Sequence, residues 1–179
     1  MALELKNYSV QLNGVGDYKQ HVGSWSNSLT SCGSSMASVG CVITSYANLL
    51  RFKGKSVDPG QVLATLKPGA VDCPFVWATA GTRYGLTNTL KWGGFNTLKQ
   101  QMFDLVVKQR QAFIVHTSPH TFVVDGFVGQ VAVDSDTGAV VGIEKGMFLI
   151  NDPGSTSRVN MKQTLDHYGV DIEKIALYN

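Results

Sequence analysis

Apolar positions along the chain change their spacing once, after Gln109. Before that point they recur at helical intervals. From Cys41 to Phe52, the residues Ile43, Ala47 and Leu50, with Tyr46 beside them, share one helical face, and the polar stretches "KGK" and "VDP" end the segment. Asp58-Pro59 supplies an N-cap and a first-turn proline for a second helix reaching about Leu66. A short third helix is expected near Trp77–Tyr84, closed by Gly85. The fourth is the most regular: from Asn96 to Gln109, Leu98, Met102, Leu105 and Val106 fall at i, i+4, i+7 and i+8, with Asn96 as the cap.

Beyond Gln109 the pattern becomes short β-branched and aromatic runs: "AFIVHT", "HTFVVDGFV", "QVAVDS", "AVVGIE" and "GMFLIND". "SDTG" reads as a hairpin loop. A turn of helix at Met161–His167 and a final strand "IEKIALY" finish the chain. Residues 1–40 carry many glycines and serines and only scattered apolar positions, so they are expected to be irregular, with 1–19 as an N-terminal extension. Helices first and strands afterwards predict an α+β fold, with N-terminal helices packed on an antiparallel sheet built mainly from residues 112–177.

Composition narrows the function classes. At 179 residues, with 44% hydrophobic and 16% charged, the chain fits one domain, 1–179, with a real core. Its 15 basic and 13 acidic residues leave a net charge of +2 without runs of like charge, so nothing attracts nucleic acid or anionic lipid. No apolar run approaches the ~20 residues that span a bilayer. The opening "MALELKNYSVQLNGVGDYKQ" lacks the basic and apolar regions of a secretory signal. The expected location is therefore cytoplasmic as synthesised, with release by lysis or association with a virion as further routes.

Three cysteines, Cys32, Cys41 and Cys73, make an odd count, which without a secretion signal argues against a disulfide framework. Their spacings match no zinc pattern. Cys32 sits nine residues before Cys41, close enough for a regulatory disulfide to be considered, and Cys73 precedes Pro74 in a loop where it is expected to be exposed and oxidisable. The acidic loops "NDPGS", "DSDTG" and "GVGDY" lack the ligand density of a calcium site.

Cys41 opens a helix directly after Ser-Val-Gly. Unpaired backbone N–H groups and the helix dipole favour a thiolate there, and Gly40 leaves room for a substrate backbone. A small buried hydrophobe at a helix start fits the same position. His120, in "SPHTFVVDGF", heads a strand, where an imidazole serves as general base for a thiol within reach. His116, four residues earlier, is its rival. Asp152, in "INDPG", lies at a strand end where a carboxylate orients an imidazole, and also fits a plain Asp-Pro-Gly turn. Trp77 and Trp92 fit either the lining of a substrate cleft or core and rim packing.

The order of "GC-I-TS-A" at a helix start, then "HTFVVDGF", then "INDP" resembles the peptidases related to bacteriocin-leader (double-glycine leader) processing enzymes, within the papain-like superfamily. The resemblance covers roughly residues 20–155. It implies Cys41 as nucleophile, His120 as base and Asp152 as the group orienting that base. The family's upstream Gln-x-Asp-x-x-Trp segment maps onto Gln20 and Trp25, with Val22 in place of the Asp, and implies Gln20 as an oxyanion donor. A papain-like fold, a peptide or isopeptide substrate, and no metal or organic cofactor follow from the same resemblance. A phage-borne or bacterial cell-wall endopeptidase acting on a peptidoglycan stem is its leading specific form. The alternative is an inactive papain-like binding or structural module of a virion or toxin-type assembly, for which Val22 and the Gly-Ser-rich loop before Cys41 speak.

Overall fold

The computed structural model describes residues 2–179. In chain order its elements are β1 (Leu3–Gln11), α1 (Met36–Val39), α2 (Cys41–Phe52), α3 (Pro59–Leu66), α4 (Trp77–Thr82), β2 (Asn88–Trp92), α5 (Phe95–Phe103), β3 (Phe113–His116), β4 (Thr121–Asp134), β5 (Val140–Val141), β6 (Phe148–Asn151), α6 (Met161–Tyr168) and β7 (Lys174–Tyr178). All strand pairings are antiparallel, in the order β1-β4-β3-β7-β2, with β5 and β6 joining through β4. Helices packed on an antiparallel sheet agree with the α+β expectation.

The sheet is larger than residues 112–177, and the N-terminal region is more ordered than its composition implied. Residues 3–11, expected to be part of an irregular extension, pair along β4 from Gly126 to Asp134. Residues 88–92 form β2 on the far edge against β7. The two runs "HTFVVDGFV" and "QVAVDS" are one fourteen-residue strand, β4, rather than two. Gly126 within it is required by close approach, since a Cβ there would stand 2.6 Å from the carbonyl oxygen of Val10 on β1. It reflects tight strand pairing, not a break.

Helix α2 is buried over eight consecutive residues, Ile43 to Leu50, so it runs through the core rather than over it. Its polar members are held accordingly. Ser45 Oγ donates to the Thr121 carbonyl (3.1 Å), and Asn48 binds the backbone of Tyr18 through both ends of its amide (2.8 and 3.3 Å). The Ser45 bond ties the helix that starts at Cys41 to the strand that starts beside His120. α3 and α6 each carry a capping box, Asp58 with Gln61 and Asn160 with Gln163. α5 begins at Phe95, one residue before the expected Asn96 cap. The Asp171 carboxylate reaches in to accept from Phe95 N (3.1 Å), and the last turn, Asp104–Lys108, relaxes to π-helix.

Asp125 shows how burial shapes the sheet's stability. It lies at a register shift of β4 against β6, buried, with Asn151 Nδ2 donating to its Oδ2 (2.7 Å). Burial pushes its carboxyl up to about 6, against the opposing effect of hydrogen bonds from Gln11 and Asn151. A carboxyl that holds its proton more tightly folded than unfolded loses stability as pH rises from about 4 to about 6. Asp125→Asn should therefore stabilise the protein by about 1–3 kcal/mol at pH 7 and by much less at pH 4. Urea unfolding at the two pH values measures this. An equal gain at both would remove the buried charge as the cause.

Candidate active site

The segment leading to Cys41 is held by backbone bonds. Met36 N and Ala37 N donate to the Ser28 and Ser26 carbonyls, and Gly40 N donates to Met36 O. A Cβ on Gly40 would stand 2.4 Å from that same carbonyl oxygen. The space that Gly40 leaves is filled by Met36, which corrects the expectation that it admits a substrate backbone. Cys41 follows as the first residue of α2, partly exposed, and it is the free cysteine of the described residues.

Cys32 and Cys73 form a disulfide across a sequence separation of 41 residues. This overturns the expectation of no structural disulfide, of a Cys32–Cys41 pairing and of Cys73 as an oxidisable thiol. The link ties the loop before α1 to the loop before α4, beside Ser31, whose backbone N–H and hydroxyl both donate to the Asp72 carboxylate. The odd cysteine left over is Cys41.

His120 stands at the end of the tight connection from β3 to β4. Thr117 Oγ1 accepts from His120 N (3.1 Å), while Thr117 N donates to His120 O (2.8 Å). The imidazole is 3% exposed and stacks on Tyr168, with ring centroids 4.7 Å apart. Its Nε2 binds Asp152 Oδ1 at 2.6 Å. Nδ1 is then the ring nitrogen left unpaired, and Cys41 lies close enough for its charge to act on the ring. Burial alone would lower the affinity of this imidazole for its proton. Hydrogen bonds and charge from Asp152 and Cys41 outweigh it and raise the group to about 9.

Asp152 is 1% exposed, one residue past β6. Besides His120, it accepts from Gly154 N (2.8 Å) at Oδ1, and from Arg158 Nε (2.8 Å) and Thr164 Oγ1 (2.7 Å) at Oδ2. Burial disfavours the ionised carboxylate, but the bonds from His120, Arg158 and Thr164 prevail and hold it well below the usual carboxylate range. The Arg158 guanidinium also lies over the Tyr168 ring, 5.3 Å from its centroid, so one cation braces both the carboxylate and the ring that covers His120.

Gln20 is 8% exposed and clipped to the same region. Its N–H donates to Pro153 O (2.9 Å), and the preceding Lys19 Nζ donates to Asp152 O (2.8 Å). Gln20 Nε2 donates to Ala37 O (3.0 Å), on the turn that precedes Cys41, while its Oε1 is buried without a partner. Trp25 Nε1 donates to Lys19 O (2.9 Å), so the Gln20–Trp25 spacing has a structural basis in holding this loop. His116 is placed apart from Asp152. Its Nδ1 pairs with Thr121 Oγ1 (2.7 Å), and burial together with the Lys174 charge lowers its proton affinity.

The structure thus brings Cys41, His120, Asp152 and Gln20 into one neighbourhood. It adds Lys19, Arg158, Thr164 and Tyr168, which sequence reading did not single out. The turn of helix expected at Met161–His167 is α6, which carries Thr164 and Tyr168, and its Asn160–Gln163 capping box is a local signal of where it starts. Among the described residues no His, Cys, Asp or Glu side chains cluster in threes to hold a metal ion, and no helix is long and apolar enough to cross a membrane.

No protein-family model matches the chain, and no curated protein matches it either. Among solved structures, it is similar to the crystal structure of UfSP from C. elegans, with a TM-score of 0.54 at 10% sequence identity. The match covers 96% of this chain and 34% of the other, so the chain spans about a third of that protein's length. At that identity the likeness concerns the fold alone, and it does not extend to the bacteriocin-leader peptidases. The fold is papain-like.

Proposed function

We propose that the chain is a cysteine peptidase in which Cys41 is the nucleophile, His120 the general base and acid, and Asp152 the residue that orients His120. The observation that carries this reading is the buried imidazole fixed by a carboxylate with four hydrogen-bond donors, with the free cysteine near enough for its charge to act on the ring. His120 Nδ1 takes the Cys41 proton as the sulfur attacks the carbonyl carbon of a peptide or isopeptide bond, and the carbonyl π pair moves to oxygen. Gln20 Nε2 and the Cys41 backbone N–H stabilise that oxyanion. His120 gives the proton on Nδ1 to the leaving amine as the C–N bond breaks. Water, deprotonated by His120, then cleaves the thioester and frees the thiol. Within the papain-like peptidases the motifs lie nearest the bacteriocin-leader group. Peptides of bacterial cell wall, as a phage-borne endopeptidase would meet them, are the first substrates to try.

A substrate-free experiment tests the thiol–imidazole pair. Iodoacetamide at pH 7 should modify Cys41 alone, because Cys32 and Cys73 are paired. His120→Ala should slow that modification roughly tenfold or more, since the imidazolium that supports the thiolate is gone. Equal rates in the two proteins, located by mass spectrometry of the labelled peptide, would sink the pairing.

A further inference from the structure

One end of the sheet carries a second constellation, which the steps above leave unused. In the strand registers Thr121 faces His116, His116 faces Lys174, and Lys174 faces Trp92. Residues directly opposed in antiparallel strands share a face, so these four side chains form one row across β4, β3, β7 and β2. The row begins one residue from His120 and extends about 14 Å, at roughly 4.8 Å per strand. Trp77, at the start of α4, covers it from the helical side, its ring 5.6 Å from that of His116.

Lys174 is the centre of this row. Its ammonium lies 5.2 Å from the Trp77 ring centroid and 4.3 Å from that of Trp92, and the residue is only 9% exposed. An ammonium has three N–H donors. Among the described residues none of them meets an acceptor, and the ion pairs leave Lys174 out. Glu173, its neighbour in sequence, is exposed and makes no ion pair with it. The indole faces stabilise the cation but accept no ordinary hydrogen bond. Nζ itself still reaches solvent, so its donors stand open to an incoming anion while the stem and the two indoles are held in place. Trp92, at 60% exposure, keeps the approach open, and His116 has Nε2 free because Nδ1 is spent on Thr121.

We propose that Lys174, flanked by Trp77 and Trp92 and adjoined by His116, is a carboxylate-binding subsite of the cleft, so that the preferred peptide carries a free carboxylate on this side of the scissile bond. This deepens the peptidase reading and rests on it. Two strand spacings from Thr121 correspond to about three residues of extended peptide. The carboxylate is either an Asp or Glu side chain or a chain terminus, two sources of one chemistry.

Binding to Cys41→Ala separates the subsite from catalysis. Two pairs of acetylated alanine-rich peptides serve as probes, one comparing a central Glu with Gln, the other a free C-terminal acid with its amide. Tryptophan fluorescence or calorimetry should show at least one acid binding about tenfold or more tighter than its partner. Which pair shows it identifies the source. Adding Lys174→Met should erase that difference, and Trp92→Ala, at an exposed position that folding tolerates, should shrink it. Equal binding of acid and amide in both pairs, or a preference that survives Lys174→Met in a folded protein, overturns the subsite. Acid preference in a protein whose wild-type form cleaves no peptide would leave the subsite standing and remove the peptidase reading.

Discussion

Cys41→Ala should lose peptide turnover by a factor on the order of 10⁵–10⁶, the scale on which a covalent nucleophile matters when its partners act as a unit with it. Its stability should stay within about 1 kcal/mol of the wild type, because a partly exposed first residue of a helix leaves little cavity when truncated. The comparison with the other two cysteines makes the result specific. Cys32→Ala and Cys73→Ala open a link across a separation of 41 residues and should cost about 2–4 kcal/mol of stability. Each folded molecule should still turn over, since neither sulfur faces His120. Steady-state rates normalised to folded protein, with thermal unfolding alongside, provide the test. Loss of turnover per folded molecule in all three variants, or in none, would remove Cys41 from the role of nucleophile.

What the sequence disclosed about the fold follows from how local each signal is. α2, α3 and α6 carry their information in consecutive residues: an apolar repeat for α2, and capping boxes for α3 and α6. β1 does not, because most of it is exposed, Leu3 and Leu5 included, so no alternation betrays a buried face. β2 is an edge strand with the same weakness. In β4 the glycines looked like punctuation, whereas a Cβ at Gly126 would meet β1 and one at Gly129 would meet Met147. That constraint comes from neighbours distant in sequence. So does the Cys32–Cys73 pairing, which no local pattern encodes and which the count of three cysteines obscured.

The same distinction divides the site. Cys41, His120 and Asp152 each lie at an element boundary with a recognisable context, a helix start, a strand start and a strand end, so their order along the chain made them candidates. The groups that hold them are contributed by tertiary contact. Arg158 and Thr164 reach Asp152 from a turn and a helix whose residues follow no catalytic pattern, and Tyr168 meets His120 only through the docking of α6. Lys174 and Trp92 are likewise neighbours only through the pairing of β2 with β7.

Asp152→Asn changes one atom in this arrangement, and its expected effect follows from the four donors around the carboxylate. With the amide nitrogen at the Oδ2 position, a donor faces Arg158 Nε. The Thr164 hydroxyl turns to accept, but the guanidinium loses its acceptor. With the nitrogen at the Oδ1 position, it donates to His120 Nε2 and moves the ring proton to Nδ1, where the proton of Cys41 must go, and Gly154 N–H loses its partner. Neither orientation restores the negative charge. We expect kcat to fall by a factor on the order of 10⁴, the scale seen when the carboxylate of a nucleophile–base–orienter triad is neutralised. The pH profile supplies the sign. In the wild type the imidazolium persists to about 9, so the alkaline limb of turnover should fall there. Without the carboxylate, burial dominates and that limb should move to lower pH. In stability, the depressed carboxyl of Asp152 contributes above the ordinary carboxylate range and loses that contribution on acidification. The raised imidazole contributes below about 6.5 and loses that contribution as pH rises through about 9. The two shifts share the His120–Asp152 interaction, which counts once. The variant should be less stable by about 3–5 kcal/mol at pH 7, through the unpaired Arg158, and should gain little further stability between pH 3 and pH 5. Rates against pH, with urea unfolding at pH 3 and 7, measure all three effects. An unmoved alkaline limb with full kcat would leave Asp152 a structural anchor and give His120 another orienting partner.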